Sequence, residues 1–283
     1  MQIPELCAMN VHHRFFSLES FLASSEAAGF TAVELWTGPM HLLCDRAGHA
    51  DPAPVRDALE RHGLTCRAVC PEQTNPKPAN MAAPSRAGER ARAIFANAVR
   101  LAAGLGAPVV TVTPGWAFRD ESLADAWSRS VAALRALAVQ AEEADVVLAM
   151  EALQPEESVL CPTSERLAAL IAEVDRPALQ ACLDTGAMEV ADETIDQAWR
   201  ALDGRVANVH LVDVAEQGGR LETHVAWGAG HRSMADDIAT LARLGYIGTC
   251  STEVCDPACF SDPAAVDARV ARIYQNARRE LCS

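Results

Sequence analysis

Apolar and β-branched residues recur along the chain in short continuous runs. They are LCAMN (6–10), TAVELW (31–36), TCRAVC (65–70), PVVTVT (108–113), VVLAME (146–151), LQACLD (179–184), VANVHL (206–211) and GTCSTE (248–253). Unbroken runs of this length suit parallel strands buried on both faces. Helical segments with recognisable punctuation lie between them. Asp51-Pro52 offers an N-cap and a first-turn proline, and Gly63 a stop. Ser85 opens a longer segment in which Ile94, Phe95, Ala98, Leu101 and Ala102 form a stripe at helical spacing. Ser233 with Asp236 starts another, which Gly245 ends, and Asp262-Pro263 starts the last. Strand and helix alternate eight times without a linker, which predicts one (β/α)8 barrel domain over residues 1–283. An open doubly wound sheet is the other architecture with this alternation. No glycine-rich dinucleotide fingerprint follows the first run to support it.

Composition narrows the chemistry. Half of the 283 residues are apolar and 22% charged, enough for a full core. Lys+Arg is 24 against Asp+Glu 38, a net charge of −14 that repels phosphate backbones and anionic lipid. Neither nucleic acid nor a membrane is an expected partner. The single lysine, Lys77, leaves Schiff-base and pyridoxal-phosphate chemistry one candidate, in a proline-rich stretch. Ten cysteines are too sparse for a disulfide scaffold, and Cys7, Cys66, Cys182 and Cys250 sit in strand runs as small hydrophobes. The uncharged stretch Leu101 to Phe118 contains Gly104, Gly106, Pro108, Pro114 and Gly115, and reads as a helix end followed by a buried strand. No basic-then-apolar leader opens the chain, so a soluble, cytoplasmic protein is expected.

Candidate chemistry gathers at strand ends. Glu151 closes the fifth run, Asp184 the sixth and Glu253 the eighth, while His210 lies one place before the end of the seventh. A charge closing an apolar strand is costly to bury alone, and a lone one is often a structural carboxylate. Four on consecutive strands of a barrel converge at its C-terminal mouth, where three like charges call for a cation. Three carboxylates with one imidazole suit Mn²⁺, with Mg²⁺ or Co²⁺ as alternatives, better than structural zinc. The longest connections, Cys70 to Pro84 and Val212 to Arg232, follow strands and so crown the same face. Trp36 ends the second strand and Trp116 lies just past the fourth, both opening on that face as walls for a polyol or as ordinary packing. His12 and His13 end the first strand, where they either reach a substrate hydroxyl or are satisfied structurally. Glu34, inside an apolar run, needs a partner if buried.

The Glu/Asp/His/Glu set resembles that of the xylose isomerase-like barrels, and within them the ketose 3-epimerases. AVELWTGPMH, PEQTNPKPANM, MEALQPEES, and VHLVD with THVAWGAG carry the likeness, which is greatest to the fructoselysine 3-epimerases. The resemblance implies a metal-templated proton transfer at C3 of a ketose through an enediolate. Glu151 and Glu253 would then be both ligands and acid–base catalysts, one on each face of the carbon. It further implies that Glu157 grips the sugar's first hydroxyls, that His224 stands at the pocket edge, and that the protein is a homo-oligomer. Taken without the resemblance, Glu157 is a solvated loop charge and His224 a structural residue. Two positions depart from the free-ketohexose pattern: Ala187 stands where a His, and Glu216 where an Arg, would contact the O1-to-O3 end. A C1-substituted ketose therefore fits better than psicose or tagatose. The alternative is lyase chemistry on the same scaffold, like that of inosose dehydratase or the metal-bearing subunit of C-glycoside deglycosylases. Nuclease action of the endonuclease IV kind needs more ligands and a basic face.

Overall fold

A computed structural model of the chain describes residues 2–73 and 78–282. Lys77 and part of the segment following the third run lie outside the described residues. Seven of the eight barrel strands are β1 (Glu5–Met9), β2 (Ala32–Trp36), β3 (Thr65–Cys70), β4 (Val109–Val112), β5 (Val147–Glu151), β6 (Leu179–Asp184) and β7 (Val206–His210). A hairpin of β8 (Asp213–Gln217) and β9 (Arg220–Val225) follows, and β10 (Thr249–Ser251) completes the ring. The parallel strands close in the order β1-β10-β7-β6-β5-β4-β3-β2. Closure decides between the two architectures: the chain is a (β/α)8 barrel, not an open sheet.

Helices clothe the ring: α1 (Leu18–Ala28), α2 (Pro52–Arg61), α3 (Ser85–Leu105), α4 (Leu123–Glu143), α5 (Ser164–Val174), α6 (Thr185–Val190), α7 (Ile195–Ala201), α8 (Met234–Arg243) and α9 (Pro263–Cys282). Their ends obey the local signals. Asp51 accepts from the Ala53 amide and Ser233 from the Asp236 amide, while Gly63 and Gly245 take left-handed φ values of 61° and 83° just past their helices. The uncharged stretch divides as expected into the end of α3 and β4. No described helix is long and apolar enough to cross a membrane.

The core has two layers. The larger lies between strands and helices, around Phe21, Phe95, Leu101, Leu134 and Trp227. The smaller, inside the ring, is Ala68, Val109, Ala149 and Cys182. Side chains two apart on a strand share a face. Each ligand candidate thus stands above a small or polar residue of its own strand: Glu151 above Ala149, Asp184 above Cys182, His210 above Asn208, and Glu253 above Ser251. Small residues inside the ring let the charged ones occupy its mouth without overpacking.

Two elements differ from expectation. The eighth strand ends at Ser251, so Glu253 lies two residues beyond it. The long connection after β7 is folded, with Gly218 and Gly219 turning DVAEQ back on RLETHV. That glycine pair between two short runs is a hairpin signal in the sequence. Asp213 holds the end of the loop: fully buried, it accepts the amides of Val214, Gly228, Gly230 and Arg232. A Cβ at residue 230 would meet the Asp213 carboxylate and the Val214 carbonyl at 2.3 Å, which accounts for glycine there.

Candidate metal and active site

Four strands in succession round the ring, β5, β6, β7 and β10, bring Glu151, Asp184, His210 and Glu253 together. One ligand atom from each lies within 4.8 Å of the others. His210 is central and fully buried, its Nδ1 3.1 Å from Glu151 Oε1 and 3.3 Å from Glu253 Oε2. The Asp184 carboxylate is split in its duties. Oδ1 caps α6 through the Ala187 amide at 2.6 Å, whereas Oδ2 is buried without a hydrogen-bond partner. A buried carboxylate oxygen with no hydrogen bond among the described residues, beside two further carboxylates, fits a cation in its reach.

Glu34 explains the orientation of His210. It is completely buried on β2, with Oε1 3.0 Å from the Thr111 hydroxyl and 3.2 Å from His210 Nε2, and Oε2 accepting from Asn208 at 2.9 Å. Burial pushes its carboxyl upward, but the charge and hydrogen bond of His210 outweigh this and leave it below the usual range. His210 then donates Nε2–H to Glu34 and turns the Nδ1 lone pair toward the other ligands, the arrangement common behind metal-binding imidazoles. Sequence reasoning saw only that Glu34 needed a partner. The signal was its place, mid-run among apolar residues.

His224 joins the group from β9. Its Nε2 is 3.4 Å from both Asp184 Oδ2 and Glu253 Oε2, and its φ of 62° is a left-handed conformation held by Cys255 and Asp256 amides on its carbonyl. Such backbone strain costs about 1–3 kcal/mol and collects at functional sites. Burial disfavours charge on His210 and His224. Cys182, Glu34 and Glu151 around the first, and Asp184 and Glu253 around the second, outweigh it and hold both well above the ordinary imidazole range. That upward pull on both imidazoles reflects the negative charge gathered around them, which a divalent ion would answer. Burial pushes the Glu151 carboxyl up, whereas hydrogen bonds and charge from the two histidines override burial at Glu253 and hold it well below its usual range. Burial also pushes the neighbouring Cys182 thiol up to about 12, as expected of a small buried hydrophobe.

His210 is fully buried, and Glu151, Asp184 and Glu253 line the floor of a cavity of about 800 Å³, within the common span of small-molecule sites. Trp36, Glu157 and His224 all line it. Trp36 is held by Asn10, which accepts from its amide at 2.7 Å and donates to its carbonyl at 3.0 Å. Glu157 reaches the wall from the loop after β5, where Gln154 also donates to Thr223 of the hairpin at 3.0 Å. Ala187 is on the lining and Glu216 is not.

Two expected contacts are not made. Trp116 does not line the cavity; Asn80 clamps its backbone at 2.8 Å on both sides, and its ring packs edge-on to Phe118. His12 turns away as well. The chain coils into a 3₁₀ turn over Asn10–His13, and this carries His12 and His13 onto Asp267 of α9, at 2.9 and 2.8 Å. Nε2 of each is answered by the helix, not by the pocket, while Nδ1 of each is buried without a hydrogen bond among the described residues.

A profile of the xylose isomerase-like TIM barrel family matches residues 22–275, and the chain belongs to that family. It is similar to fructoselysine 3-epimerase of Escherichia coli O157:H7, 24% identical over 249 residues that span 86% of this chain and 87% of the other. D-psicose 3-epimerase from Clostridium cellulolyticum H10, solved with D-tagatose, shares the fold with a TM-score of 0.78 at 17% identity, covering 98% of this chain and 99% of that one. An L-ribulose 3-epimerase structure likewise gives 0.78 at 22% identity over 99% and 97%.

Proposed function

We propose that this protein is a divalent-metal-dependent sugar epimerase that inverts C3 of a ketose or a C1-substituted ketose. The observation that carries the reading is the convergence of Glu151, Asp184, His210 and Glu253 under one cavity, where Asp184 Oδ2 makes no hydrogen bond among the described residues and faces His224 at 3.4 Å. A cation held by these four, Mn²⁺ or else Mg²⁺ or Co²⁺, would supply Lewis-acid stabilisation of negative charge growing beside a carbonyl.

Glu151 and Glu253 close the two ends of the four-strand arc, so they face each other across the floor. One carboxylate takes the proton from C3 and the other returns a proton to the opposite face, which leaves the composition unchanged and the centre inverted. Asp184 and His210 hold position between them, with Glu34 fixing the imidazole. Glu157 and His224 are placed to receive hydroxyls. The names of the relatives, a fructoselysine 3-epimerase foremost, support the ketose; Ala187 on the lining supports a substituent at C1. Ten free thiols support a reducing, cytoplasmic compartment. Phe15 and Met40, 74% and 67% exposed, support self-association.

The test is incubation of the Mn²⁺-loaded protein in D₂O with fructosyl amines and free ketoses. One deuterium entering C3 with formation of the epimer is expected, abolished by a chelator and restored by Mn²⁺. Loss of water from the sugar would assign lyase chemistry instead, and exchange at another carbon would overturn the C3 assignment.

A further inference from the structure

Arg14 is the one arginine or lysine among the described residues lining the cavity, and it stands in acidic surroundings. Glu72, Glu156, Glu157, Glu222 and Asp256 share that lining. An arginine so placed is expected to pair with a carboxylate. Arg14 pairs with none among the described residues. Its Nε donates to the Val11 carbonyl at 3.1 Å, and its guanidinium lies over the Phe260 ring at 4.4 Å and the Trp36 ring at 5.5 Å. Held on two aromatic faces, it keeps both Nη groups without a hydrogen-bond partner among the described residues.

Arg14 follows β1, and Glu156 and Glu157 follow β5, four strands away by either path. Acids lie all round the rim, Asp256 beside Arg14 included, and Arg14 is the one cation among the described lining residues. The cavity also has room to spare: a free hexose needs less than about 400 Å³ if each heavy atom takes a water molecule's share of volume. We propose that Arg14 is a specificity-determining residue that receives an oxyanion, carboxylate or phosphate, carried by the sugar substrate away from its reacting carbons. A planar fork with two free Nη groups matches such a group. The inference deepens the epimerase reading and rests on it for the sugar portion, while the preference for an oxyanion is measured without turnover.

Calorimetric titration of the Mn²⁺-loaded protein with D-glucitol, D-glucitol 6-phosphate and D-gluconate tests it, because none of these polyols can be epimerised. At least one oxyanion probe is expected to bind about 10- to 100-fold tighter than glucitol. The better of the two identifies phosphate or carboxylate as the group read. In Arg14→Gln that ratio falls to about one, and Arg14→Lys restores part of it. Equal binding of all three by the wild type, an equal loss for every probe in Arg14→Gln, or a preference that survives the substitution would each overturn the proposal. Absence of C3 exchange with a preserved Arg14-dependent preference would defeat the epimerase reading alone.

Discussion

At the mouth of the barrel, Glu151, Asp184, Glu253 and His210 set three carboxylates against one imidazole. Beside it, between the end of β1 and helix α9, His12 and His13 set two imidazoles against the single carboxylate of Asp267. Both groups bring potential ligand atoms within 4.8 Å, and both are built from histidine and acid. They differ in charge balance and access. Asp267 takes Nε2 of each histidine and the Ser24 hydroxyl at 2.5 Å, so its two oxygens are satisfied three times over in a place 2% exposed. The other group has acids in excess, a carboxylate oxygen that makes no hydrogen bond among the described residues, and a cavity above it. Proximity alone does not make a cation site; unsatisfied negative charge facing a path to solvent does.

The comparison breaks first on activity. Glu151→Gln and Glu253→Gln should each lower C3 deuterium exchange by about 10²- to 10⁴-fold. Melting temperature should hold or rise in Glu151→Gln, whose carboxyl burial pushes up, and fall in Glu253→Gln, whose ionised form the two histidines favour. Loss of folding with activity intact per folded molecule would exchange the roles assigned to the two groups.

Asp267→Ala should do the reverse. Removing a buried carboxylate from its hydrogen-bonded partners costs about 3–5 kcal/mol, read by urea unfolding. Exchange per folded molecule should stay within a few-fold of wild type. A severe loss of exchange in the folded protein would show that the buried pair reaches the chemistry after all.

Glu34→Gln sharpens the mouth itself. The amide keeps the volume but no longer demands the Nε2 proton of His210, and Mn²⁺ affinity should fall by about 10- to 100-fold in calorimetry. Unchanged affinity would reduce Glu34 to a core filler.

The smallest effect is a pH dependence. Burial raises the Asp267 carboxyl, but hydrogen bonds and charge from His12 and His13 outweigh it and leave the group below its usual value. A depressed carboxyl contributes stability that is present above the unfolded value, about 3.9, and is lost as pH falls through the folded one. Wild-type stability should therefore decline below about pH 4, and Asp267→Asn should flatten part of that decline.

Much of the barrel was legible in the order of residues. Every barrel strand lies within or beside one of the eight runs, because a strand buried on both faces must be apolar throughout. The caps at Asp51 and Ser233 were legible because a cap concerns only its own turn. Glu151, Asp184 and His210 were legible as charges at the ends of apolar strands. Glu253 was found for the same reason, although the strand stops two residues short of it. The hairpin after β7 was missed even though its Gly218-Gly219 turn was in view. His12 is expected at a strand end but sits in a 3₁₀ turn, and Trp116, past its strand, takes the packing role because Asn80 fixes its backbone.

By itself the sequence determined which segments are strand and which helix, and which four side chains carry the ligand chemistry. These are matters of neighbours a few positions apart. Only the tertiary structure decided that Glu34 steers His210 from 176 positions away, that Asp267 claims His12 from 255, and that Arg14 enters an acid-lined cavity without an ion pair among the described residues. Partners so distant meet only when the ring closes, and no local rule for a strand or a cap says which charges closure leaves unanswered.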